Sequence, residues 1–95
     1  VVIREIPQDG YWSNITLAED DLVIDAGSNV GAVSILTAAK YPRVRIVAVE
    51  AVPFTWVYQQ VNIHALLPAE HVASGRIISG LAALGADADG TLQMQ

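Results

Sequence analysis

Asp21-Leu22-Val23-Ile24-Asp25-Ala26-Gly27-Ser28-Asn29-Val30-Gly31 decides how the rest of the chain is read. Leu22-Val23-Ile24 is a short apolar run rich in β-branched residues, the pattern of a buried strand. Asp25 ends it. Gly27 allows a sharp turn, because glycine takes a positive φ without a Cβ clash. Ser28 or Asn29 is placed to cap the helix that follows, and Gly31 lets that helix start close to the sheet or to a ligand. The stretch predicts a strand, a tight glycine turn and a helix N-terminus. The free N–H groups of that terminus face whatever lies above the strand end.

Outward from the turn, residues 30–40 read as a helix. Val33, Ile35, Leu36 and Ala39 are apolar, and Ala32 and Ala38 are small enough for close packing on a sheet. Tyr41-Pro42 stops it. Residues 44–49 are apolar on both faces, as in a strand of a parallel sheet, and lead to Glu50. Strand, helix and strand make one right-handed crossover. Glu50 lies 23 residues past Gly27. In doubly wound folds an acidic residue there bonds the ribose of a nucleotide. A carboxylate suits the task, since its two oxygens accept from both hydroxyls.

Two nucleotide-binding readings diverge at the turn. A dinucleotide fold asks for G-x-G-x-x-G after the strand. This chain has Gly27-x-x-x-Gly31, with Asn29 in the place of the second glycine, where its side chain would crowd a pyrophosphate. The string D-x-G-x-N-x-G instead resembles the first motif of class I S-adenosylmethionine (SAM) methyltransferases. Residues 23–31 are most similar to the FkbM-type family, in which V-D-x-G-A-N-x-G is usual and Ser28 replaces an alanine. That family commonly continues E-P-x-P after its second strand; here the string is Glu50-Ala51-Val52-Pro53. The resemblance covers residues 22–92, the first part of a family domain. It implies a Rossmann-like fold and SAM as cofactor. It also implies contacts to SAM from Asp25, Gly27, Ser28, Asn29, Gly31, Glu50 and Ala51, and adenine contact near residues 81–84.

Pro53 fits the first turn of a helix over residues 53–66, whose inner stripe is read as Trp56, Val57, Val61 and Leu66. Asn62 is similar to an asparagine of the family's L-x-x-N-x-x-x-N helix. His64 and His71 have no second ligand at metal spacing and read as surface histidines. Leu67-Pro68 breaks the helix, a short helical turn follows, and residues 76–80 read as a third parallel strand. Asp87-x-Asp89-Gly90 lacks the closing glutamate of a calcium loop and reads as a hairpin turn.

Upstream, residues 1–6 and 11–17 read as two strands of an N-terminal β-hairpin about Pro7-Gln8-Asp9-Gly10. Tyr11 and Trp12 read as aromatic cover over a sheet edge, with pocket walls as the other use. Asn14-Ile15-Thr16 matches the glycosylation triplet by chance, since no secretory signal precedes it.

Composition limits the partners. The chain has 95 residues, 53% of them apolar, and a net charge of −5. That apolar fraction suits a packed domain. The five basic residues, spread along the chain, argue against nucleic-acid backbones. No cysteine is present, which excludes disulfides and thiolate metal sites. No apolar run is long enough to span a membrane, so a cytoplasmic location is expected.

Residues 1–95 are thus expected to form a single, truncated domain: α/β, Rossmann-like, with a partial, mostly parallel sheet and residues 1–20 as a β extension. The resemblance implies a SAM-dependent methyltransferase acting on an oxygen of a small-molecule or sugar-like acceptor. The 95-residue piece alone is expected to be inactive and to self-associate through an open sheet edge. No residue is assigned as base or acceptor site, and no metal is called for. The alternatives are a non-catalytic nucleotide- or partner-binding Rossmann half-domain and an NAD-dependent oxidoreductase.

Overall fold

In the computed structural model the described residues are 2–4, 17–82, 84–86 and 92–94, with side chains described for 17–82. The elements in chain order are β1 (Val2–Arg4), β2 (Leu22–Ala26), α1 (Ala32–Lys40), β3 (Arg45–Glu50) and α2 (Pro53–Leu66). They continue with α3 (Ala69–Ala73), β4 (Ile77–Leu81), β5 (Leu84–Ala86) and β6 (Leu92–Met94). Four strands form one sheet in the order β1-β2-β3-β4, all parallel, while β5 and β6 pair antiparallel by themselves. The fold is mixed α/β, as the sequence predicts.

Register explains the core. Val23, Ile46 and Ile77 stand side by side across β2, β3 and β4. All three are buried against Ile35 and Ala38 of α1, and Ile63 and Leu67 in and just after α2. The next row on that face is Asp25, Ala48 and Ser79. The apolar layer therefore gives way to polar side chains toward the C-terminal ends of the strands. The alternate row, Ile24, Val47 and Ile78, points to the other face, where Ile78 is 55% exposed. Among the described residues no helix covers that face.

Two expectations change here. Val2–Arg4 is not one arm of a separate hairpin. It lies in parallel beside β2, with Ile3 opposite Ile24. The outer edge of β2 is therefore paired over Val23–Asp25, and the open edge expected there is covered. Of the proposed second arm, 11–17, only Leu17 is described, buried and in no strand; residues 11–16, with Tyr11, Trp12 and the Asn14 triplet, and the proposed Asp87–Gly90 turn lie outside the described residues.

The second change concerns α2. Its buried residues are Gln59 and Ile63, with Leu67 continuing the same line, whereas Val57, Val61 and Leu66 are more than half exposed. The helical period was right but the phase was not. α2 holds no Asp, Glu, Lys or Arg, so hydrophobicity alone does not separate its two faces. Packing chooses the line that runs through a glutamine.

Candidate functional site

The site grows from the end of β2. Asp25 is the fourth residue of the strand, and alternation sends its side chain to the helix-covered face, where it is buried. Ser34 of α1 donates its hydroxyl to Asp25 Oδ2 at 2.5 Å. Burial pushes the carboxyl above its ordinary range, and the Ser34 bond offsets part of that rise.

After Ala26 the backbone takes three left-handed residues in alternation: Gly27 at φ 68°, Asn29 at 53° and Gly31 at 88°. Asn is among the non-glycine residues that best tolerate this region. The alternation also explains why α1 starts at Ala32 rather than Val30, because no right-handed helix passes through Asn29 and Gly31. The expected side-chain cap is absent. Gly31 holds the N-cap position, and neither Ser28 nor Asn29 caps α1 by its side chain. The Ser28 hydroxyl is directed instead to Gln59 Oε1.

The amide groups of the turn have defined acceptors. Gly27 and Ser28 both donate to the Val49 carbonyl, at 2.9 and 3.0 Å. Gly31 donates to Ser28 O. Asn29 N–H donates to Glu50 Oε1 at 2.9 Å, and Val52 N–H donates to Glu50 Oε2 at 2.9 Å. Glu50 is only 5% exposed. It is therefore no loose strand-end charge: it closes the glycine turn onto the loop after β3. Asn62 of α2 donates to the Val30 carbonyl at 2.9 Å and steadies the far side of the turn.

A cleft of about 190 Å³ opens at this turn, lined by Asp25, Gly27, Ser28, Asn29, Val30, Ala32 and Val33. Binding clefts that engulf a whole ligand hold roughly 300–1,000 Å³, so this one fits part of a nucleoside-sized molecule. A larger cleft, about 320 Å³, lies among Leu17, Glu19 and the 40–44 segment at the other end of α1. Ligands of parallel α/β sheets sit outside the carboxyl ends of the strands, which favours the smaller one.

Of the residues picked from the sequence, Asp25, Gly27, Ser28 and Asn29 share the cleft, and Glu50 reaches it through Asn29. Gly31 serves another neighbour: a Cβ there would stand 3.1 Å from Gln59 Cγ. Ala51 is exposed beside Glu50. The sequence reading missed Ser34, Gln59 and Ser79. The spacing of Gln59 from Ile63 and Leu67, four and eight residues, was the available signal. His64 is exposed, but His71 is half-buried with an inaccessible Nε2, which corrects its reading as a surface histidine. No group of three His, Cys, Asp or Glu able to hold a metal occurs among the described residues, and no described helix is long and apolar enough to cross a membrane.

No family model, curated protein or solved structure matches this chain.

Proposed function

We propose that this chain is the cofactor-binding part of a SAM-dependent methyltransferase, acting on an oxygen of a small-molecule or sugar-like acceptor. The observation that carries the reading is Glu50 on the Asn29 N–H. A pyrophosphate site needs free amides at the glycine turn. Here Gly27 and Ser28 amides face the Val49 carbonyl, and a buried carboxylate stands at the next one. A second buried carboxyl, Asp25, lines the cleft that Glu50 reaches through Asn29. Two acidic groups disfavour a phosphate and favour a ligand with positive charge and free hydroxyls. SAM offers both, with a sulfonium, an ammonium and a ribose.

The donor set fits such a ligand. Each Glu50 oxygen accepts one backbone N–H and keeps a second lone pair for a ribose hydroxyl. Asp25 Oδ1 stands beside Oδ2, which Ser34 engages, and gives the cleft a further acceptor. When bound, SAM supplies the electrophilic methyl group, and the residues of this chain hold and orient it. The Gly27–Gly31 backbone and Glu50 place the ribose and methionine side.

Calorimetric titration with SAM, S-adenosylhomocysteine and NAD tests the proposal. Saturable binding of the first two without NAD is expected. Binding of NAD with no SAM signal would falsify it.

A further inference from the structure

Gln59 has no exposed surface, although its neighbours on the buried line of α2, Ile63 and Leu67, are apolar. Leucine at this position would meet the demands of core packing. An amide here needs partners, because burying one without a hydrogen bond is costly. It has them. Oε1 accepts from the Ser28 hydroxyl, and Nε2 donates to Ser79 Oγ at 2.5 Å. The Gln59 stem also lies against Gly31, where a Cβ would meet Cγ at 3.1 Å. One side chain thus touches the turn at two points, Ser28 and Gly31, on either side of Asn29, and reaches β4 with its other end.

Nothing else on α1 or α2 holds Ser28 by a side chain among the described residues. The segment it belongs to is conformationally costly. Asn29 sits left-handed, and α1 begins without a side-chain cap. We propose that Gln59 is a positioning residue for the ligand site, clamping Ser28 and Gly31 against β4 so that the Asn29 N–H stays aligned on Glu50 and the cleft keeps its shape. Its consequence for affinity rests on the cofactor reading above, whereas the clamp itself is measurable without ligand.

Amide hydrogen exchange on the full chain, with no ligand present, is the primary test. In Gln59→Leu the Gly27, Ser28 and Asn29 amides should exchange about tenfold faster or more, while the Ile46 amide in the sheet keeps its protection. Gln59→Glu measured at about pH 5 should restore protection, since a carboxyl at this fully buried position keeps its proton and offers one donor and one acceptor. Titration with S-adenosylhomocysteine should show affinity lowered about tenfold in Gln59→Leu and largely recovered in Gln59→Glu. Unchanged exchange at the turn, or an equal rise at Ile46 and the turn, would overturn the clamp. If the leucine variant fails to fold, Ser79→Ala cuts only the β4 end of the bridge. Unaltered turn exchange in that variant would also overturn it. A wild-type protein that ignores S-adenosylhomocysteine would sink the cofactor reading and leave the exchange comparison to judge the clamp.

Discussion

Glu50 and Asp25 are both buried carboxyls, but their partners differ. Glu50 receives a backbone N–H on each oxygen. Replacing it by alanine leaves the Asn29 and Val52 amides without acceptors, at about 1–3 kcal/mol of stability. If Glu50 holds the ribose as proposed, the same change should weaken SAM binding roughly ten- to a hundredfold. Denaturant unfolding and calorimetry on Glu50→Ala measure the two losses. Loss of stability with unchanged SAM affinity would leave Glu50 a structural role only.

Asp25 has one hydroxyl partner and a raised pKa caused first by burial. The folded state therefore holds this proton more tightly than the unfolded chain does. Its stabilising contribution is complete below the unfolded value of about 3.8 and is lost as pH rises through the folded pKa. Asp25→Asn keeps an oxygen for Ser34 and removes the ionisation. It should be more stable than wild type at neutral pH, with a flatter stability profile through that window. Thermal melts of both proteins from acid to neutral pH give the comparison. A variant that follows the wild-type profile would show that Asp25 is not the titrating group.

Among the elements, α2 offers the sharpest check on phase. Ile63 is 2% exposed and Val61 is 59% exposed. Ile63→Ala should cost about 2–5 kcal/mol, and Val61→Ala should stay within about 0.5 kcal/mol. Reversed magnitudes in urea unfolding would restore the Val57–Val61 stripe as the inner one. At the start of α1, Gly31→Ala meets two obstacles. A positive φ of 88° is strained for any residue with a Cβ, by about 1–2 kcal/mol, and that Cβ presses on the Gln59 stem. Gly27 has the same backbone requirement but open space around its missing Cβ. Alanine at position 31 should therefore be the more damaging of the two.

For the whole molecule, the arrangement of strands has a consequence for solution behaviour. Crossovers β2–α1–β3 and β3–α2–β4 run in one direction, and right-handedness puts α1 and α2 on one face of the sheet. The other face presents Ile24, Val47 and the exposed Ile78, and α2 turns Phe54, Tyr58 and Val61 outward. Patches of this kind mark association surfaces. The 95-residue chain alone should bind an apolar dye and elute larger than a monomer, and Ile78→Ser should reduce the dye signal. A monomer with one sharp melting transition and no dye binding would contradict this.

The central βαβ unit was legible in the residues themselves. β-branched runs, a glycine turn and a proline stop specify local conformations, and these depend on few distant contacts. The same locality made Gly27 and Glu50 recognisable, since one needs a positive φ and the other follows a strand end. What tertiary structure alone decided was partnership. α2 has apolar residues on more than one face and none of Asp, Glu, Lys or Arg to mark the outer one, so its hydrophobic pattern could not say which line packs, and Gln59 became visible only through Ser28 and Ser79, 31 and 20 residues away. Val2–Arg4 pairs with β2 across some twenty residues of chain, a non-local choice that the Pro7-Gln8-Asp9-Gly10 sequence does not encode. Local sterics are written residue by residue, whereas the choice between two acceptable faces or two acceptable strand partners depends on what the rest of the folded chain brings alongside.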